Sequence, residues 1–373
     1  MSDKALPFNL ASVLLLLAFA SCNFIQNTQV PEAQPRRVSP QEIPRMVRAI
    51  PSYTSFSYSG LCFFNRKLYA SSNIGLLESE GGGLLQLYKW YDSDDVVSGP
   101  WLDLANNSVW VMHDGIGRLI RYDGKAWEIR ELPRPKEGYS RGDMLAGFRG
   151  MGTPEGFWLE GGGHAWRWNT KSSTWEPAPM PQDGSVVRVI PLPSQMLVVT
   201  RHESLSFLVE GDHFKSDTVH YYEGQWNEVP NKTGRSFFTE QMVVVRDGAY
   251  LLTSNGFILS VTQSEITRLD TQDDCEAIVA TTAGSLLASF RNFGIYEYRD
   301  GWQKRFSCPY SSTEADHWSY LAEFDGQVAF AVTSKSQGHG EGTKYRGQTA
   351  LWVSAANELK HVPIGEMGSG QGK

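Results

Sequence analysis

Short runs rich in Val, Ile, Tyr and Trp are cut by glycine and aspartate turns, such units recur along nearly the whole chain, and an aromatic residue returns at one place in most of them. Together these observations predict an all-β fold, because the runs are too short and too alternating for helices. A sheet of three or four short strands has two bare faces and needs copies of itself on either side to bury them. The recurrence therefore predicts a β-propeller. Dividing residues 50–364 by seven gives about 45 residues per unit, the length of a four-stranded blade. Seven blades are expected, with six or eight compatible with the pattern.

Composition agrees. The chain carries 12 Trp, 36 Gly and 12% aromatic residues, an excess of strand and turn formers without low-complexity bias. Its 373 residues exceed the usual domain size, yet closed all-β assemblies reach this length as one unit. The net charge of −7 and the lack of any basic block exclude counterion-driven binding of nucleic acid.

Residues 1–21 hold Lys4, an apolar run from Leu10 to Ala20, and then small residues. That run is too short to cross a bilayer, which takes about 20 residues, but it suits the core of a secretory signal. Phe19, Ala20, Ser21 and Cys22 resemble the lipobox of bacterial lipoproteins, with Phe19 standing where Leu is usual. The resemblance implies cleavage before Cys22 and acylation of that cysteine. At about 0.8 kcal/mol per buried CH₂, two or three acyl chains anchor stably where one does not. By the enterobacterial sorting rule, Asn23 rather than Asp at the next position implies passage to the outer membrane. The expected address is the cell envelope, on the extracytoplasmic side.

Residues 22–46 are polar and carry Pro31, Pro35, Pro40 and Pro44. Such a segment buries too little apolar surface to order itself and reads as an extended tether. The propeller is expected over residues 47–366, with a disordered tail at 367–373.

Seven β-rich segments follow the tether. The clearest is VWVMHDGIGRLIRYDGKAWEIREL, Val109 to Leu132, in which HDGIG and DGK divide three strands. Segment one precedes it and contains KLYASSNIGLLESEGGGLLQLYKW. Segment three is GFWLEGGGHAWRWNTKSSTW, with NTKSS in place of DGK. Segment four runs from QMLVVTRHESLSFLVE to HYYEGQWNEVP, and segment five is AYLLTSNGFILSVTQSEITRL. Segment six is SLLASFRNFGIYEYRDGWQKRF, and segment seven joins QVAFAVTSKS to TALWVSAANELKHV. Their closing positions align as Trp90, Trp127, Trp175, Trp226, Ile266, Trp302 and Leu359. Recurrence at one blade position is a packing signature, so these rings are assigned to the wedge between sheets rather than to a ligand. The stretch PSYTSFSYSG is expected to complete a blade begun at the C-terminus and so to close the ring.

The segments LIRYDGKAW, IYEYRDGW and YYEGQW resemble blade ends of the two-component-regulator propeller repeat and its relatives among kelch and WD-type blades. The resemblance spans nearly the whole mature chain and implies a fold. It implies no chemistry, because such blades share none.

In a propeller, the loops joining second and third strands share one face with the loops between blades, and functional groups gather there. The alignment places His113, Asp114, Glu160, His164, Arg201, His202, Glu203, Ser254, Asn255, Arg291, Asn292, His339 and Glu341 on that rim. A polar pocket of this kind suits a small anion, a sugar or a metal. Turns are polar in any case, so the loops alone do not choose between a ligand site and solvated loops. No H-E-x-x-H or C-x-x-C pair occurs, and neither a metal nor a cofactor is expected. The RGD tripeptide at Arg141–Asp143 lies between segments two and three and reads as coincidence. Of the remaining cysteines, Cys62, Cys275 and Cys308 allow three pairings, with Cys275–Cys308 preferred because both belong to segment six.

No nucleophile elbow or phosphate loop marks an enzyme. The expected function is a lipid-anchored binding or scaffolding module for an envelope protein or a glycan. The alternative is a carbohydrate-active hydrolase or lyase using rim histidines and acids, with Asp114, Glu160 and Glu203 as candidate carboxylates.

Overall fold

The computed structural model describes residues 45–47, 57–72, 75–79, 85–89, 97–113, 118–133, 148–153, 156–181, 185–192, 195–202, 216–245, 248–271, 274–309, 317–334 and 349–362. Among them there is no helix, and the strands form seven antiparallel sheets, six of four strands and one of five, each containing a meander of four strands in chain order. This is a seven-bladed β-propeller. The first strands of the blades are Tyr58–Phe64, Val97–Asp103, Arg149–Thr153, Ser185–Pro191, Thr239–Val245, Cys275–Ala280 and His317–Phe324. First strands of most neighbouring blades lie against one another, which puts them nearest the ring axis.

Turn chemistry explains why the chain folds back at such short intervals. In the DGK turn, Asp123 Oδ1 accepts the N–H groups of Lys125 and Ala126, both at 2.8 Å. In NTKSS the same work falls to Asn169, which accepts from Lys171 at 2.9 Å and Ser172 at 3.2 Å. In blade five the Thr262 hydroxyl accepts from Ser264 and Glu265. Three unlike sequences thus satisfy the turn backbone from one side-chain oxygen.

Each gap between blades is filled by its own apolar cluster, and the closing residues belong to these clusters. Trp127 packs where blades one and two meet, Trp175 between two and three, and Trp226 between three and four. Ile266, Trp302 and Leu359 continue the series around the ring. Two of the indoles also hydrogen-bond backward: Trp175 Nε1 donates to Glu131 O at 3.1 Å, and Trp302 Nε1 to Asp270 O at 2.8 Å. Where blade five has Ile266, the backbone takes over. Ile266 N–H donates to Pro230 O, and Lys232 N–H donates to Ile266 O, both at 2.9 Å. Trp90 lies outside the described residues, as do Cys22, the signal, most of the tether and the tail.

The ring is closed differently from expectation. The described end of PSYTSFSYSG, residues 57–60, does not complete a C-terminal blade, because Tyr58–Phe64 is the first strand of blade one and blade seven supplies all four of its own strands. A local hairpin wins: Asn65 and Arg66, at φ of 51° and 63°, form a two-residue turn that pairs Tyr58–Phe64 with Lys67–Ser72. Such a turn costs far less closure entropy than pairing with the far end of the chain. The seam between blades seven and one is instead side-chain packing, with Tyr58, Phe63 and Leu77 against Ala329, Ala331 and Leu351. Tyr58 N–H donates to Thr333 Oγ1 at 2.8 Å, and that hydroxyl reaches Tyr58 O at 3.3 Å. Blade one also gains a fifth strand, Arg45–Val47, antiparallel to Leu85–Lys89 at its outer edge.

The expected Cys275–Cys308 disulfide does not form. Cys275 is buried in the cluster between blades five and six, with its thiol directed to Ala277 O at 3.7 Å. It acts there as a small apolar residue.

Near the axis the first strands approach so closely that two glycines are obligatory. A Cβ on Gly60 would lie 1.8 Å from Gly99 O, and one on Gly152 would lie 1.4 Å from Leu102 O. Both obstacles are backbone and cannot rotate away. Gly152→Ala should therefore lower the melting temperature more than Gly224→Ala, where nothing lies within 4 Å and only the positive φ of 76° opposes the methyl group. Trp302→Ala should cost about 3 kcal/mol, a loss that denaturant titration would read.

Candidate functional site

One irregularity recurs at the start of the first strands. The pairing of first and second strands shifts register in blades one, two, four, five and six, leaving Ser59, the Gly99–Pro100 pair, Val187, Glu240 and Glu276 out of the ladder. These are β-bulges, which re-aim a side chain and leave part of the backbone outside the ladder. The carbonyl of Glu240 shows the second effect. It accepts Arg149 Nη1 at 2.6 Å and Arg188 Nη2 at 2.7 Å, so guanidinium groups from blades three and four converge on blade five.

The first effect builds a cleft. Glu240 and Glu276 line a cleft of about 320 Å³ with the Thr253–Gly256 turn, Asp274, Arg291 and the start of blade seven, Trp318 to Tyr320. It opens on the face that carries the loops between second and third strands. Glu276 is the fixed element: Oε1 accepts Arg291 Nε at 2.7 Å and Oε2 accepts the Ser319 hydroxyl at 3.1 Å, joining blades six and seven. By contrast, the side chains of Glu240, Asp274, Ser254 and Asn255 are exposed and form no hydrogen bond or ion pair among the described residues. Trp318 is 53% exposed, and Phe293, on the adjacent Arg291–Phe293 turn, is 47% exposed.

A second cleft, about 390 Å³, lies between blades six and seven at the turns joining first and second strands. Its charges are largely engaged with one another. Burial alone would raise Glu297, but hydrogen bonds from Ser285, Arg299 and Arg305 hold it below the usual carboxylate range. Glu323 accepts the N–H groups of Thr282 and Gly326, both at 2.6 Å. The first cleft is therefore the better site.

Of the residues expected on the rim, Ser254, Asn255 and Arg291 line this cleft, and Asn292 is exposed beside it. Those of the others that are described lie outside the cleft. His113 is buried, and His164 is half-buried against Trp166, with its pKa lowered by burial. Arg201 is built into the ring: Nε and Nη2 donate to Asp217 at 2.8 and 3.1 Å, the guanidinium lies 3.5 Å from the centre of the Phe238 ring, and Asp217 accepts Thr239 N–H at 2.6 Å. This arrangement ties blade four to the entry of blade five. The side chain of His202 and all of Asp114, Glu203, His339 and Glu341 lie outside the described residues, as does the RGD tripeptide. Among the described residues, no group of three or more His, Cys, Asp or Glu is arranged to hold a metal.

Glu160 is also committed to the ring. It is 4% exposed, its Oε1 accepts Val189 N–H at 2.5 Å, and Oε2 lies 3.5 Å from Arg188 Nη1. Burial pushes its pKa up to about 8, with the Val189 N–H and the Arg149 charge pulling the other way. Arg188 divides its guanidinium between Val187 O and Glu240 O as well.

Sequence reasoning missed Glu240, Glu276 and Trp318. The one available signal was a charged or aromatic residue at the second position of three first strands, TEQMVVV, CEAIVA and HWSYLAEF.

No protein-family model and no curated protein matches this sequence. Solved structures do match. The propeller domain of the trilobed protease from Pyrococcus furiosus is 9% identical, with a TM-score of 0.55, covering 83% of this chain and 98% of that one. The acylaminoacyl peptidase of Pyrococcus horikoshii is 10% identical, with a TM-score of 0.54, over 83% of this chain and 52% of the peptidase. The extracellular domain assigned to a one-component system of B. thetaiotaomicron is 12% identical, with a TM-score of 0.48, over 86% of this chain and 40% of that one. At such identities the two Pyrococcus likenesses show the propeller fold alone.

Two outcomes follow from the buried charges. Native Glu160 keeps a proton between pH 4.5 and about 8 that the unfolded chain has released, so its contribution to stability is full below that window and is lost as pH rises through it. Glu160→Gln should gain melting temperature relative to the unsubstituted protein between about pH 5 and about pH 9, and a flat difference would contradict a neutral carboxyl. Arg201→Met should destabilise by about 3 kcal/mol, because it strands the buried Asp217 carboxylate.

Proposed function

We propose that the chain is a lipid-anchored, extracytoplasmic binding module whose partner, an envelope protein or a glycan, docks at the channel mouth formed by blades five to seven. The observation that carries the reading is the cleft there, in which a fixed Glu276–Arg291–Ser319 frame surrounds side chains that the fold does not use. Groups left exposed in a concave site, while comparable groups elsewhere are tied into the ring, are available to a ligand. The anchor rests on the lipobox-like Phe19–Cys22 stretch ahead of the propeller.

The enzymatic alternative has less support. Of its three candidate carboxylates, Glu160 is buried and bonded to the next blade.

Fractionation of the expressing bacterium tests the anchor. The natural chain should sediment with membranes and partition into detergent, whereas Cys22→Ser should leave the membrane fraction with its propeller still folded. Membrane retention of that variant would refute acylation at Cys22. Turnover of a glycan library that Glu240→Gln abolishes would replace the binding reading with the enzymatic one.

A further inference from the structure

The polar groups of the channel-mouth cleft are not of one kind, and their mixture narrows the ligand. The carboxylates of Glu240 and Asp274 accept hydrogen bonds only. The Asn255 amide and Ser254 hydroxyl both donate and accept. Beside them stands the exposed indole of Trp318, a broad apolar face in an otherwise polar site. A ligand that satisfies all of these needs several O–H groups able to donate to the carboxylates, oxygens able to accept from Asn255, and a flat C–H surface to cover the ring. Hydroxyl-to-carboxylate bonds are charge-assisted and short, so they repay the water displaced from Glu240 and Asp274. A simple cation would engage the carboxylates but leave Asn255 and Ser254 to water. An anion would meet three carboxylates, Glu240, Asp274 and Glu276, while the guanidinium groups nearby are already engaged, Arg291 with Glu276 and Arg149 and Arg188 with the Glu240 carbonyl.

We propose that this cleft binds a saccharide that is uncharged or carries an amino group, with one sugar ring stacked on Trp318 and its hydroxyls on Glu240, Asp274 and Asn255. The inference rests on the channel-mouth reading above and adds the class of ligand, excluding uronate and sulfated glycans. The site is preorganised, because Glu276 is held from blade six by Arg291 and from blade seven by Ser319. The position of Glu240 is set by a bulge whose carbonyl is clamped by Arg149 and Arg188. Binding therefore does not have to order the frame, which lowers its entropic cost.

The test is titration calorimetry on the full chain in detergent with four probe sets: neutral gluco-, manno- and galacto-oligosaccharides, N-acetylglucosamine oligomers, chitosan oligomers, and oligogalacturonate with heparin fragments. Binding is expected in one of the first three sets and not in the fourth. Trp318→Ala and Asn255→Ala should each weaken it by about tenfold or more with unchanged melting temperature, as expected of hot-spot residues. Asn255 is exposed on its turn and Trp318 is 53% exposed, and the melting temperature of each variant separates lost binding from lost folding. Binding confined to the anionic set overturns the ligand class, and saccharide binding that ignores both substitutions overturns the site. If no saccharide binds while a protein partner is lost on Trp318→Ala, the saccharide inference fails and the channel-mouth reading stands.

Discussion

Filling the wedges between tilted sheets is the constraint from which the rest of this molecule follows. A four-stranded blade cannot bury its faces alone, so stability resides in the gaps between blades, each occupied by its own apolar cluster. The closing position shows how strict the demand is. Where Trp is present, a large ring fills the wide outer part of the wedge, and at Trp175 and Trp302 its N–H finds a carbonyl on the preceding blade. Where Ile266 replaces it, less volume is available, and two backbone hydrogen bonds bring the neighbouring segment closer. Area and hydrogen bonding thus compensate for one another at equivalent places.

At the narrow end of the wedges the same geometry produces the opposite problem, too much matter rather than too little. Gly60 and Gly152 answer it by having no side chain where a neighbouring carbonyl passes. The bulges answer it as well, because an extra residue widens and twists the strand locally. In doing so they turn Glu240 and Glu276 toward the mouth. A packing solution thereby becomes the source of the polar cleft. The arginines that satisfy the displaced Glu240 carbonyl come from two other blades, so the cleft is rigid because the ring is complete.

These two ends of the wedge were unequally legible in the sequence. The wide end repeats, and the alternation of apolar runs with DGK-like turns, together with the recurring Trp, specified the blades and their outer strands. The narrow end does not repeat in residue type. A bulge is a property of two strands in register, and nothing in TEQMVVV by itself says that Glu240 is the residue left out. Burial was equally hidden. Glu160 and Arg201 each end an apolar strand as a solvated turn residue would, and only their partners, Val189 and Asp217, reveal that they are internal. The expected closure of the ring gave way to a local hairpin, because the left-handed Asn65–Arg66 turn pairs Tyr58–Phe64 with the strand that follows it. Asn255 and Arg291 were found because they sit on turns whose face the blade count already fixed.

That every blade is one uninterrupted stretch of chain bears on how the molecule is made. As the polypeptide emerges from N- to C-terminus, each unit can collapse on the one already formed, using contacts between near neighbours in sequence. The seam is different, because there Tyr58 waits for Thr333, 275 positions later. Until that partner arrives, the leading face of blade one, with Phe63, Leu68 and Leu77, stays bare. The nascent protein therefore carries a sticky flank through almost all of its synthesis, and it is this flank, rather than any later blade, that a chaperone of the compartment would need to shield.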